Sequence, residues 1–160
     1  MSRFCLGVDF GGVIIAHGTE RQDTFFNRDY LETPPVAGSL EALQKLSNTK
    51  FKDAVWIVSK AGSRDTEIKT RNWLASHEFD SRAGITPDRI FFAPKRIGKL
   101  AIAQSLRLTH FVDDKLEVLT YLANDVPNLY LFDNDSSEVP TGITAVGSWP
   151  VLEQHLQQDS

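Results

Sequence analysis

Short apolar runs alternate along this chain with stretches whose apolar residues recur every three or four positions. The runs are FCLGVDF (Phe4 to Phe10), DAVWIVSK (Asp53 to Lys60), RIFFA (Arg89 to Ala93), THFVDD (Thr109 to Asp114) and NLYLFD (Asn128 to Asp133). Most carry too few polar residues for strands with one wet face, so they read as strands buried on both faces. Between them, GSLEALQKLSN (Gly38 to Asn48), RDTEIKTRNWLASHEF (Arg64 to Phe79), GKLAIAQSLRL (Gly98 to Leu108) and KLEVLTYLAND (from Lys115) have helical spacing, and WPVLEQHLQQ (from Trp149) closes the chain as a last helix. This alternation predicts an α/β fold: a three-layer αβα sandwich around a mainly parallel, Rossmannoid central sheet, forming one domain over residues 1–160. One stretch breaks the rhythm. Ala16 to Val36 is polar, carries Phe25, Phe26 and Tyr30, and ends in Pro34-Pro35. It reads as a small insertion, about residues 16–37, capping one end of the sheet. The tail from Gln157 to Ser160 reads as frayed.

Composition narrows the class without naming a chemistry. A chain of 160 residues with 41% hydrophobic and 24% charged positions is ordinary for a globular domain. A net charge of −4 gives no overall electrostatic footprint for nucleic acid. Cys5 is the only cysteine, which excludes an internal disulfide and a zinc-finger site and makes a reducing cytoplasm the natural expectation. No apolar stretch is long enough to span a membrane, and no signal-peptide pattern opens the chain.

In such sheets ligands bind beyond the carboxyl ends of the strands. The polar residues at those ends are Asp9, then Ser59 with Lys60, then the pair Asp113 and Asp114, with Lys99 opening the helix before the pair. This set suits phosphoryl transfer, which needs charge neutralisation and positioning above all. Asp9 and Asp113, with a backbone carbonyl near Gly11, offer hard oxygen donors for Mg2+. A carboxylate beside the metal can also serve as nucleophile. Ser59, Lys60 and Lys99 can hold a phosphate, and Gly11 and Gly12 would let backbone N–H groups approach it.

These stretches resemble the four motifs of the haloacid dehalogenase superfamily, whose members are mostly magnesium-dependent phosphatases. The first motif, Asp-x-Asp-x-(Thr/Val), corresponds to DFGGV, the second to IVSK, the third to IGKLAIAQSL and the fourth to HFVDDKLEVL. They occur in the family's order from Asp9 to Asp114. The resemblance implies Asp9 as nucleophile and metal ligand, Ser59 and Lys99 as phosphate holders, and Asp113 with Asp114 on the magnesium ion. Lys95 is the alternative lysine for the third motif. A small phosphorylated substrate is implied, and the compact layout is similar to the deoxynucleotidase-like members. A nucleotide is therefore one option, while the substrate and the oligomeric state stay open.

The chain departs from the pattern at Gly11, where the family's phosphatases carry the aspartate that protonates the leaving oxygen. Several readings follow. The protein is a slow or specialised hydrolase acting on good leaving groups, such as acyl phosphates. Or His17 or Asp23 supplies the acid. Or it is an inactive domain that binds a phosphorylated ligand or protein partner. Dehalogenase and phosphonate-cleaving branches also lack this aspartate, but their other signatures are not evident. A structural domain with no metal site is the plainest alternative. A further rival comes from the sugar kinases of the actin-like superfamily, which open with Gly-x-Asp-x-Gly-Gly-Thr. Here Val13 replaces that threonine, and such kinases need two large domains.

Other residues have unremarkable explanations. Trp56, Trp73 and Trp149 read as core or rim packing, Cys5 as a small buried hydrophobe and His110 as a core histidine. His77 and His155 read as surface residues. Arg28 could touch substrate from the cap and Arg71 could reach a phosphate, but a solvated face is the default for both. Asp133 and Asp135, past the fifth strand, could lie near the metal site, but turn chemistry explains them equally well.

Overall fold

The structure is a computed structural model that describes residues 3–16, 29–132 and 139–160. Most of the expected insertion lies outside the described residues, as do His17, Asp23, Arg28, Asp133 and Asp135.

The elements follow in the order β1 (Leu6–Val8), α1 (Ser39–Asn48), β2 (Val55–Lys60), α2 (Arg64–Ser76), α3 (Phe79–Ala83), β3 (Ile90–Ala93), α4 (Gly98–Leu106), β4 (His110–Asp113), α5 (Leu116–Leu122), β5 (Asn128–Phe132), β6 (Ile143–Val146) and α6 (Trp149–Gln158). Local chemistry sets several boundaries. Ser63 caps α2 by accepting the Thr66 N–H at 3.2 Å, and Asp65 and Glu67 complement the positive end of that helix. Ser148 likewise precedes α6, with Pro150 in the first turn, where its missing N–H costs nothing.

The strands form one parallel sheet in the order β3-β2-β1-β4-β5-β6. Both faces are covered. Leu6 and Val8 of β1 join a core with Leu43 and Leu46 of α1, Trp73 of α2 and Leu152 of α6. On the other face, Val58, Phe111 and Leu131 pack with Ala103 of α4 and Val118 and Leu122 of α5. The alternation of strand residues between two separate cores is the reason the runs are apolar throughout. Three layers result, as the sequence pattern predicts.

Three details differ from that pattern. A sixth strand, β6, which none of the apolar runs marks, pairs with β5 from Leu129↔Ile143 to Phe132↔Val146. The single helix expected over Arg64 to Phe79 is two, because Glu78 adopts φ 59° and turns the chain between α2 and α3. The tail is not frayed. Helix α6 runs to Gln158, and Asp159 then accepts from Tyr130 Oη at 2.8 Å through Oδ2 and from His110 Nε2 at 2.9 Å through its carbonyl.

Chain order reverses direction between β1 and β4. β2 and β3 lie to one side, β5 and β6 to the other. Such a switch point leaves a crevice at the carboxyl ends of the two central strands, where no crossover covers the sheet.

Candidate active site

Val8 and Val112 are register partners, and the Asp9 N–H donates to the Val112 carbonyl at 3.0 Å. Asp9 and Asp113 therefore leave the sheet side by side at the switch point. Alternation along β1 and β4 sends both side chains toward the α4 face, the face reached by Gly7 and Phe111. Lys99, in the first turn of α4, meets them there. Its Nζ donates to Asp9 Oδ1 at 2.9 Å and to Asp113 Oδ2 at 2.8 Å. The remaining lone pairs are partly used by the backbone: the Phe10 N–H donates to Asp9 Oδ1 at 2.8 Å and the Lys115 N–H to Asp113 Oδ1 at 2.9 Å.

All three groups are withdrawn from water, with Asp9 6%, Lys99 2% and Asp113 0% exposed. Burial raises the Asp9 carboxyl well above its usual range, and the charges of Asp113 and Asp114 push it further, against the pull of Lys99. Asp113 is also raised by burial, opposed by Lys99 and the Lys115 N–H. Burial would lower the Lys99 ammonium, but the two carboxylates more than offset this and hold it above its ordinary value. A lysine at a helix N-terminus works against the helix dipole. Here the carboxylate pair explains its position.

Asp114 completes the group. Asp9, Asp113 and Asp114 each offer an oxygen within 4.8 Å of the others. Three carboxylates against one ammonium leave net negative charge in a buried place, and every donor is a hard oxygen. That donor set fits a magnesium ion.

The acids and Lys99 line a cavity of about 320 Å³ that Ser59, Lys60 and Gly11 also border. Ser59 is 5% exposed, and its hydroxyl makes only a long 3.5 Å contact with the Lys60 carbonyl. Gly12, expected to help hold a phosphate, stands at the turn that follows Phe10. It turns the chain at φ 78°, and its N–H is donated to Ile15 at 2.9 Å rather than offered to a ligand. Of the two lysines considered for the third motif, Lys99 is the one joined to the acids.

Four polar lining residues are absent from the set the sequence predicts: Thr66 and Thr70 of α2, Arg96 before α4, and Lys115 after the acid pair. Thr66 and Thr70 are one helical turn apart on the helix that follows Ser59, and that spacing is the signal that would have found them. Arg71 turns away from the site. Its guanidinium donates to the carbonyls of Pro87 at 3.0 Å and Ile90 at 3.2 Å. His77 is less exposed than expected and stacks on Trp73 at 3.9 Å between ring centroids. His110 is a core histidine at the opposite end of β4 from Asp113.

No protein-family model matches the chain, and no curated protein matches it. Among solved structures, it is similar to D,D-heptose 1,7-bisphosphate phosphatase from B. bronchiseptica complexed with magnesium and phosphate, with a TM-score of 0.73 and 15% identity over 99% of this chain and 100% of that one. The chain therefore shares the α/β fold of that phosphatase over its whole length. Among the described residues, no helix is long and apolar enough to cross a membrane.

Proposed function

We propose that the protein is a magnesium-dependent phosphohydrolase that acts through Asp9. The observation that carries this reading is the buried bridge from Lys99 to both Asp9 and Asp113, beside Asp114, in a cavity at the switch point. Purely structural acids would not be gathered so closely around one ammonium unless a further cation offset their repulsion. The structural neighbour, a phosphatase complexed with magnesium and phosphate, supports the same chemistry.

Asp9, Asp113 and Asp114 would hold the ion. Bound magnesium supplies charge neutralisation for the carboxylates and the phosphate. A carboxylate oxygen of Asp9 attacks phosphorus, the bond from phosphorus to the ester oxygen breaks, and an aspartyl-phosphate forms. Ser59 donates its hydroxyl hydrogen to a phosphate oxygen, and Lys99 stabilises the charge that develops. Water then attacks phosphorus, the Asp9–phosphorus bond breaks, and inorganic phosphate leaves with the carboxylate restored.

Gly11 has no proton to give the leaving oxygen, and without another acid that oxygen departs bearing its own charge. Acyl phosphates and aryl phosphates tolerate this and simple alkyl esters do not. A specific observation favours a second reading, binding without turnover. Among the described residues lining the cavity, the only carboxylates are the three assigned to the metal, and there is no histidine or glutamate to act as acid. Phosphate release from acetyl phosphate and p-nitrophenyl phosphate with magnesium separates the two. Turnover by wild type that disappears in Asp9→Asn supports hydrolysis. Tight magnesium-dependent binding of an ester without release over hours supports the binding domain.

A further inference from the structure

Beyond the acids and Lys99, the cavity has a second electrostatic zone. Lys60, Arg96 and Lys115 line it and are all exposed, whereas Lys99 is buried. The charged end of none of them makes a short contact with the acidic centre among the described residues. Arg96 lies 3.6 Å from Glu117, and Lys115 lies 3.9 Å from Asp114. Lys60 has no carboxylate partner among the described residues. Among those residues, four cationic side chains line the cavity against three carboxylates. A divalent cation at the acids adds two positive charges, and one phosphate dianion removes them. Within the lining one positive charge is then left over on the exposed side chains, with Arg96 shared with Glu117 at its edge. Ser59, Thr66 and Thr70 make the wall beside β2 and α2 polar, which suits a small hydroxylated body more than an apolar one.

We propose that the substrate is a small polar phosphate ester with a second anionic group, phosphate or carboxylate, received by Lys60, Arg96 and Lys115 while the first phosphate faces Asp9. This rests on the phosphohydrolase reading and extends it to the class of molecule cleaved or bound. Exposed ion pairs are individually weak, but several together discriminate by about tenfold and are screened by salt.

The test is calorimetric titration of Asp9→Asn, which holds ligand without turnover, in magnesium at low salt. Fructose 1,6-bisphosphate is compared with fructose 6-phosphate, and 3-phosphoglycerate with glycerol 3-phosphate. The doubly anionic member of a pair is expected to bind about tenfold tighter. The preference should shrink as salt rises and vanish in Arg96→Ala/Lys115→Ala on the same background. In wild type the same ratio should appear in kcat/KM wherever turnover is measurable. A preference within the fructose pair alone assigns the second group as phosphate, and a preference in both pairs admits carboxylate. Equal binding within each pair overturns the inference and leaves the phosphohydrolase reading standing. So does a preference that persists unchanged in the double variant. Absence of binding by every ester, together with no phosphate release by wild type, overturns both.

Discussion

The ammonium of Lys99 lies 2.9 Å from Oδ1 of Asp9, a residue 90 positions earlier in the chain, and both side chains are buried. With Asp113 at 2.8 Å on its other side, Lys99 joins the ends of β1 and β4 to the start of α4. Removing one partner from a buried ionic group leaves uncompensated charge, at a cost of about 3–5 kcal/mol. Lys99→Met should therefore lower the urea midpoint strongly in metal-free buffer. Magnesium should recover part of the loss by replacing the missing positive charge. A midpoint unchanged from wild type in metal-free buffer would show that the bridge does not stabilise the fold.

The three acids predict a metal-linked stability. A ligand that binds only the folded chain raises its stability by about 2.7 kcal/mol at a hundred times its Kd. Magnesium should thus raise the Tm of wild type in a concentration-dependent way. Asp113→Asn, which withdraws a charge from the cluster at the end of β4, should weaken the response. Differential scanning fluorimetry across a magnesium series checks this. A Tm independent of magnesium would instead favour a structural domain.

The site was legible in sequence because its chemistry sits where strands end. Asp9, Ser59 and Asp113 each close an apolar run, and a polar residue there has few other reasons to follow one. Lys99 was legible only in outline, since Lys95 carries the same charge four residues earlier and only the start of α4 at Gly98 decides which lysine stands in its first turn. Arg96, Lys115 and the two threonines depend on how helices are rotated over the cavity, which a single sequence does not encode locally. β6 was missed for a related reason. It is an edge strand of four residues, ITAV, with only its first and last buried, so no sustained apolar run marks it. The anchored tail depends on partners in β4 and β5 that are distant in sequence.

Gly7 leaves the space over β1 that Leu108 and the Phe111 ring of the neighbouring strand β4 occupy. A Cβ added there would lie 2.6 Å from Leu108 Cδ1 and 2.6 Å from Phe111 Cδ2, closer than side chains tolerate. Overpacking of this kind costs about 1–3 kcal/mol. Gly7→Ala should lower stability by that order and loosen the alignment of Asp9 with Asp113. Gly62→Ala is the control, because a Cβ there meets nothing within 4 Å. Chemical denaturation of the two variants should separate them clearly, and equal midpoints would contradict the close approach.

His110 predicts a pH dependence remote from the site. Its ring is enclosed by Phe51 at 5.0 Å and Tyr130 at 6.3 Å, and its Nε2 donates to the Asp159 carbonyl. Burial lowers its pKa below the ordinary 6.5, and the nearby charge of Lys50 acts the same way against the carbonyl and charge of Asp159. The unfolded chain then binds more protons than the folded one below that value. Stability from this group is complete above pH 6.5 and falls as the pH drops toward the folded pKa. His77, also lowered by burial, adds to the same slope. Urea midpoints between pH 7.5 and 5 should decline less steeply in His110→Gln than in wild type. An identical slope would assign the dependence to other groups.

The most informative substitution is at Gly11. Its φ does not lie in the left-handed region, unlike that of Gly12 at 78°, so an aspartate can occupy the same backbone. Gly11 lines the same cavity as Asp9, so the new carboxyl belongs to the wall of that cavity. General acid catalysis contributes about 10²–10⁴-fold. Gly11→Asp should therefore accelerate phosphate release from alkyl monoesters by an amount of that order. Its effect on acetyl phosphate should be small, because that leaving group needs no proton. A gain confined to the alkyl esters would identify Gly11 as the point where this scaffold gave up its acid. A gain of equal size on both substrates would mean that the new carboxylate acts through the metal instead. Gly12→Asp, strained by the left-handed backbone, should gain nothing and lose stability.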